Sequence, residues 1–118
     1  MSGYSDGRRL EYAARDALEA DGYAVIRSAG SKTPVDLVAL KLDELLFIQC
    51  KTSRPVGPAE RDQLRALAAL VNALPIEARW VKQGRAARTV GFWRVLPDTD
   101  GRPVRSRWIT DYAVGAEA

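Results

Sequence analysis

The stretch that decides the fold is Val35-Asp36-Leu37-Val38-Ala39-Leu40, followed after Lys41-Leu42-Asp43-Glu44 by Leu45-Leu46-Phe47-Ile48-Gln49-Cys50-Lys51. Both runs are short and rich in Val, Ile, Leu and Phe, and a polar segment separates them. This pattern predicts a β-hairpin. If its turn is centred on Leu42 and Asp43, Leu40 lies opposite Leu45.

Alternation along these two strands brings three polar side chains to one end of the hairpin. Successive side chains of a strand point to opposite faces of the sheet. The predicted register therefore puts Asp36 opposite Gln49, with Lys51 on the same face. Burying a carboxylate, an amide and an ammonium group without partners would be costly. The cluster needs a physical explanation.

A divalent cation is one explanation. Asp36 offers a charged oxygen, Gln49 a neutral carbonyl oxygen, and the main-chain carbonyl of Cys50 a third donor. Such hard oxygen ligands suit Mg²⁺ or Mn²⁺. Lys51 can then orient or deprotonate an attacking water and offset charge on a phosphate. The alternative is that Asp36 and Lys51 form a solvated ion pair at the strand end.

Length and composition predict one domain, residues 1–118, because 118 residues with 47% hydrophobic content can bury a real core. No apolar run approaches the roughly 20 residues that cross a bilayer, and residues 1–6 carry no apolar signal region. The single cysteine, Cys50, has no disulfide partner in the chain and is expected to be a small core residue. These features predict an intracellular protein with no membrane association.

The chain contains no histidine. This excludes Ser-His-Asp and Cys-His catalysis and the usual zinc site. Any hydrolytic chemistry must therefore use carboxylates, lysine and a metal.

Positive charge is concentrated in one segment of the second half of the chain. Residues 79–107 carry eight basic and two acidic side chains, a net charge of +6, and seven of the eight are arginines. Arginine suits phosphate contacts. The segment predicts either a nucleic-acid surface or an ordinary solvated face.

Periodicity and turn residues predict the order of the elements. Ser5 or Asp6 caps a helix that Gly22 ends, and Pro58 begins a second helix that Pro75 ends. Strands are expected at 23–27, 76–81 and 89–96, a turn-rich connection at 97–103, and a last strand or helix at 104–112. The predicted fold class is α/β, with the second helix packed on the sheet.

Several side chains have an expected structural role. Glu11 is expected either to pair with Arg15 one helical turn on or to point a second carboxylate at the site. Glu60 and Arg61 are expected to be exposed at the start of the second helix. The aromatic residues Trp80, Phe92 and Trp93 are expected in the core or at a dimer contact, rather than stacked on bases.

Residues 23–32 followed by Val35-Asp36-Leu37-Val38-Ala39 resemble the archaeal-type Holliday junction resolvases of the PD-(D/E)XK nuclease superfamily. Phe47-Ile48-Gln49-Cys50-Lys51 stands where that family has its (D/E)-X-K strand. Glu11 lies at the family's distance before the Gly22-Tyr23 pair. The resemblance covers about the first half of the chain and implies a restriction-endonuclease-like central mixed β-sheet flanked by helices.

The resemblance also implies residue roles. Asp36 would be a metal ligand, Glu11 would complete the acidic site together with Gln49 and the Cys50 carbonyl, and Lys51 would be the catalytic lysine. The cation would be Mg²⁺, with Mn²⁺ as the other possibility. The residues assigned to DNA binding are Arg8, Arg9, Arg27, Ser31, Lys32 and Arg54.

The sequence departs from the family pattern at two positions. Gln49 replaces the usual acidic residue, which leaves the site one negative charge short. Tyr12 stands where the family often has arginine, and Arg8 and Arg9 are near enough to compensate.

The implied function is a metal-dependent endonuclease that resolves four-way DNA junctions as a homodimer, in the cytoplasm, on the nucleoid, or in a host cell if the protein is viral. Three alternatives remain at this point: another nuclease of the superfamily that acts on duplex DNA, a junction-binding protein without catalysis, and a small protein whose basic half binds an acidic partner.

Overall fold

The computed structural model of the chain describes residues 3–28, 32–52, 57–83, 86–99 and 102–107. Two helices and six strands occupy these ranges. In chain order they are α1 (Gly3–Ala20), β1 (Ala24–Arg27), β2 (Leu37–Lys41), β3 (Glu44–Lys51), α2 (Pro58–Leu70), β4 (Leu74–Gln83), β5 (Ala86–Thr99) and β6 (Arg102–Arg107).

The six strands form one mixed sheet in the order β1-β2-β3-β4-β5-β6. Neighbouring strands are antiparallel except β3 and β4, which run parallel. Parallel neighbours need a crossover connection, and α2 lies within the segment that joins β3 to β4. The expected mixed sheet flanked by helices is confirmed.

The apolar stripe of α1 covers one face of the sheet. Leu10, Ala14 and Leu18 are completely or almost completely buried, and the last two pack on sheet residues such as Ile48 and Phe92. The helix ends where predicted, because Gly22 has φ +98°, a conformation that favours glycine. None of the helices in the described ranges has the length and apolar character needed to span a membrane.

The opposite face of the sheet is covered in part by α2. Leu64 is fully buried against Val35 and Val95. Pro58 occupies the first turn of this helix, as predicted, because its fixed φ suits that position and its missing N–H costs nothing there. The packing of α2 on the sheet is thus confirmed.

The hairpin has the predicted register. Leu40 lies opposite Leu45, and Asp43 in the tight turn has φ 64°, which aspartate tolerates. The paired ladder begins at Leu37, with Asp36 immediately before it. The register therefore carries Asp36 to the end of β3 that holds Gln49.

The second helix is shorter than predicted. It ends at Leu70 instead of reaching residue 74, and Asn72 takes a positive φ of 58° that no helix residue adopts. Val71 is half exposed, and Pro75 lies within β4, opposite Phe47 in the parallel register. The periodic apolar residues at 71 and 74 extended the helical pattern beyond the real end.

The last strands also differ from the prediction. The expected connection at 97–103 is mostly strand, since β5 runs through Pro97 to Thr99 and β6 begins at Arg102. The predicted last element at 104–112 is β6, which ends at Arg107, and Trp108 lies outside the described residues. Phe92 is fully buried, which confirms its place in the core.

Candidate active site

Asp36 is fixed at the end of the hairpin by three hydrogen bonds. Its N–H donates to the carbonyl of Ile48 (2.8 Å), its carbonyl accepts from the N–H of Ser28 (2.8 Å), and its Oδ2 accepts from the N–H of Cys50 (2.8 Å). Burial raises the pKa of Asp36 to about 6. The Cys50 hydrogen bond opposes that rise, and the charge of Glu11 adds to it. Hydrogen bonds therefore hold this carboxylate in place, while burial disfavours its ionised form.

Gln49 is buried on the same face of the sheet, with only 5% of its surface exposed. Its Nε2 donates to Glu60 Oε2 at 3.4 Å. Its Oε1 is buried and has no hydrogen-bond partner among the described residues. A buried amide oxygen without a partner is costly and indicates a site for a cation or a water.

Lys51 pairs with Glu60, and this pairing was not predicted. The Nζ of Lys51 lies 3.2 Å from Glu60 Oε1, so the expected alternative of an Asp36–Lys51 ion pair does not describe the site. Partial burial works against ionisation of Glu60. The hydrogen bond and charge of Lys51, helped by Gln49, nevertheless hold the pKa of Glu60 below its ordinary value.

Of the two residues predicted to be exposed at the start of α2, Arg61 is buried, so the prediction is wrong there, whereas the side chain of Glu60 is 45% exposed. Arg61 is only 8% exposed, and Glu60 reaches back from the first turn of α2 to the end of β3. One signal in the sequence points to the site: an acidic residue two positions after the helix-starting Pro58 lies in the first turn, at the end of the helix nearest the preceding strand.

Glu11 contacts a strand instead of its own helix. Its Oε1 accepts from Arg27 Nε at 2.7 Å, and that hydrogen bond raises the pKa of Arg27. Arg15 pairs with Asp16, so the predicted Glu11–Arg15 pair is wrong. The charge of Glu11 also contributes to the raised pKa of Asp36.

The oxygen atoms available at this site are of the chemical types that bind a divalent cation. Asp36 supplies a carboxylate, and Gln49 supplies a buried carbonyl oxygen that lacks a partner. In the described part of the chain, however, no three His, Cys, Asp or Glu side chains are grouped closely enough to hold a metal by themselves. The Cys50 thiol packs on the core side, and burial raises its pKa well above the ordinary value. Only the main-chain carbonyl of Cys50 is therefore a candidate ligand.

The residues assigned to DNA binding have different environments. Arg8 and Arg9 lie on α1, Arg27 ends β1 in its pair with Glu11, and Lys32 is exposed just before the hairpin. Ser31 and Arg54 lie outside the described residues.

The strands beside the candidate site carry further basic side chains, of which Arg88 and Arg94 share the sheet face of Phe92, on the α1 side. In the parallel register Arg79 lies beside Lys51. Further along, Lys82, Arg88 and Arg94 are exposed, and the guanidinium of Arg88 lies 4.2 Å above the centre of the Trp80 ring. The most basic half of the sequence thus forms the strands next to the candidate site.

Comparison with known proteins agrees with this arrangement. A sequence model of the archaeal Holliday junction resolvase family matches residues 2–73, which include α1, the hairpin and α2. The crossover junction endodeoxyribonuclease Hjc of Methanocaldococcus jannaschii is 50% identical over 50 residues, which are 42% of this chain and 37% of that protein. The matched segment thus spans little more than a third of that relative's length.

A solved structure extends the likeness to most of the chain. The 1.6 Å structure of Hjc from Archaeoglobus fulgidus, a Holliday junction resolvase from an archaeal hyperthermophile, superposes with a TM-score of 0.63 at 26% identity. The match covers 86% of this chain and 84% of that one. The fold is therefore the α/β restriction-endonuclease-like fold that the resemblance implied. The chain belongs to the archaeal Holliday junction resolvase family.

Proposed function

We propose that this protein is an endonuclease that cleaves four-way DNA junctions by hydrolysing phosphodiester bonds. One observation carries the proposal: Asp36, Gln49 and Lys51 lie together at the end of β3, within the segment that matches the family. The relatives named above are a junction resolvase and a crossover junction endodeoxyribonuclease. Fold alone would not assign an activity, so the proposal depends on this cluster of side chains.

The proposed site uses a divalent cation, Mg²⁺ or alternatively Mn²⁺. Asp36 would be the charged ligand, and Gln49 Oε1 with the main-chain carbonyl of Cys50 would be the neutral ones. Glu11 would add negative charge from α1. Bound there, the cation would supply Lewis-acid stabilisation of charge on the phosphate.

Lys51 would act on the attacking water and the phosphate. Its ammonium lies at the end of the strand that carries Gln49, where it can hold a water for in-line attack and stabilise the negative charge of the transition state. In the DNA-free protein the Lys51 ammonium forms an ion pair with Glu60. A phosphate entering the site would compete with Glu60 for the lysine.

Binding is proposed to rest on backbone charge and on the shape of the branch. Arg8, Arg9, Arg27 and Lys32, with Ser31 and Arg54, would contact phosphates near the site. Two sites related by a two-fold axis would cut opposite strands of a symmetric junction, so we propose a homodimer. Such a substrate, together with the lone cysteine, favours a cytoplasmic location.

The test is cleavage of a four-way junction and a linear duplex of the same sequence, with Mg²⁺ and Mn²⁺ in parallel. We expect junction cleavage that Lys51→Ala removes and Lys41→Ala leaves intact. Lys41 is a matched control, because its side chain is 32% exposed against 30% for Lys51 and pairs with Asp21 away from the site.

Other results would favour other functions. Equal cleavage of the duplex would indicate a general nuclease of the same fold. Tight junction binding without cleavage in either metal would indicate a non-catalytic binding protein, a reading to which the neutral Gln49 lends weight.

A further inference from the structure

The proposed metal site is short of one negative charge. Gln49 stands at the end of β3, where the family pattern has an acidic residue, and an amide oxygen is a neutral ligand. The side chain is nevertheless buried, and its Oε1 has no hydrogen-bond partner among the described residues. The fold therefore retains a buried oxygen that lacks a partner, while the negative charge must come from another residue.

Glu60 is the carboxylate that contacts this position. It stands in the first turn of α2, and its two oxygens divide between two site residues: Oε1 lies 3.2 Å from Lys51 Nζ, and Oε2 accepts from Gln49 Nε2 at 3.4 Å. An amide turned with its nitrogen toward a carboxylate directs its oxygen away from it. Glu60 thereby sets the orientation of Gln49 as well as the partner of Lys51.

Asp36 is the other carboxylate at this end of the sheet, because the hairpin register brings it opposite Gln49, the side chain that Glu60 contacts. Two carboxylates beside the same amide can share a cation placed between them. The side chain of Glu60 is 45% exposed. It can therefore turn toward a ligand without unpacking the core.

Another carboxylate next to Gln49 is not available in the same way. Glu77 on β4 lies beside Gln49 in the parallel register, but it is only 2% exposed. Its Oε2 accepts from Arg79 Nη1 at 3.3 Å. A buried carboxylate that is already paired with a partly buried arginine adds little charge to a neighbouring site.

We propose that Glu60 replaces the acidic residue missing at Gln49 and ligates the divalent cation together with Asp36. The inference rests on the proposed function, since it names a residue of the same metal site. It also gives Glu60 a second effect: a carboxylate committed to the cation releases Lys51 for the phosphate.

The test is the affinity of the DNA-free protein for Mn²⁺, measured by isothermal titration calorimetry. We expect Glu60→Gln to raise the dissociation constant at least about tenfold, while Asp62→Asn leaves it within about twofold. Asp62 is the control because it is an exposed acidic residue of the same helix, paired with Arg65. The double variant Gln49→Glu/Glu60→Gln should recover most of the loss, since it returns a carboxylate to β3.

A Lys51→Met background separates a ligand from a residue that acts only through the lysine. If Glu60 binds the cation, Glu60→Gln weakens Mn²⁺ binding in that background too. If it only offsets the charge of Lys51, its effect disappears there and the proposal is overturned. Thermal unfolding in EDTA checks that each variant folds.

The failure of this inference differs from that of the proposed function. Mn²⁺ binding that Asp36→Asn abolishes and Glu60→Gln leaves unchanged would overturn the role of Glu60 alone. Binding that is the same in the wild type and in Asp36→Asn, with no junction cleavage, would overturn both.

Discussion

Asp36 links the fold to the proposed chemistry at the scale of a single residue. The alternation of two strands predicts that it lies near Gln49 and Lys51, and the structure places it at the end of the hairpin that carries them. The contact with Glu60 could not be predicted in this way, because it depends on the angle at which α2 packs on the sheet. The Glu11–Arg27 pair has the same origin, since a helix-surface rule finds only partners on the same helix.

The raised pKa of Asp36 predicts how the metal-free protein responds to pH. The folded protein holds this proton more tightly than the unfolded chain, because its pKa is about 6 instead of 3.8. The ionised group therefore costs stability above pH 6, and the cost disappears as the pH falls toward the unfolded value.

Asp36→Asn should consequently stabilise the protein in EDTA at pH 8 by about 1–2 kcal/mol, after allowance for solvent screening of a half-buried group. The advantage should shrink to nothing near pH 4. Thermal unfolding across this range measures it. A difference in stability between variant and wild type that does not change with pH would show that ionised Asp36 does not destabilise the folded protein.

At the scale of elements, the sequence predicts an element correctly where its turn residues and its apolar spacing agree. It misplaces the end of an element where the apolar spacing continues beyond that end. The hairpin register follows from its turn and its apolar runs. The end of α2 is misjudged because residues 71 and 74 continue the helical spacing, although Asn72 breaks the helix. The length of β5 is missed because Pro97 resembles a turn signal, yet the strand accommodates it before its end at Thr99.

Close packing between β4 and β5 predicts a site of strong destabilisation. A Cβ added at Gly91 would lie 2.6 Å from Val81 Cγ2 and 2.8 Å from the Trp93 ring. Gly91→Ala should therefore lower the free energy of unfolding by roughly 1–3 kcal/mol.

Gly7→Ala is the matched control, because a Cβ at Gly7 meets nothing within 4 Å. In the interior of α1 it should stabilise the protein by roughly 0.5–1 kcal/mol. Urea unfolding of both variants tests the pair. A Gly91→Ala protein as stable as the wild type would mean that Val81 and Trp93 can move to accommodate the added Cβ at little cost.

At the scale of the whole molecule, composition predicts a general surface but no specific substrate. The concentration of arginine in residues 79–107 is visible in the sequence. Its placement on the strands next to the site requires the parallel pairing of β3 and β4. The single-domain organisation stays a prediction.

A surface of this kind should bind DNA in a salt-dependent manner. If at least four phosphates are neutralised, raising the salt from about 50 to 200 mM should weaken junction binding roughly a hundredfold or more. Fluorescence anisotropy with a labelled junction measures the slope. Binding that is insensitive to salt would contradict backbone recognition and favour an acidic protein as the partner of the basic half.

The most direct measurement is the single-turnover rate at which a four-way junction is cleaved in Mg²⁺ by the wild type, by Asp36→Asn and by Asp16→Asn, an exposed aspartate of α1. The proposed site predicts that Asp36→Asn lowers the rate by at least about a thousandfold while Asp16→Asn matches the wild type. Cleavage by Asp36→Asn at the wild-type rate would contradict it.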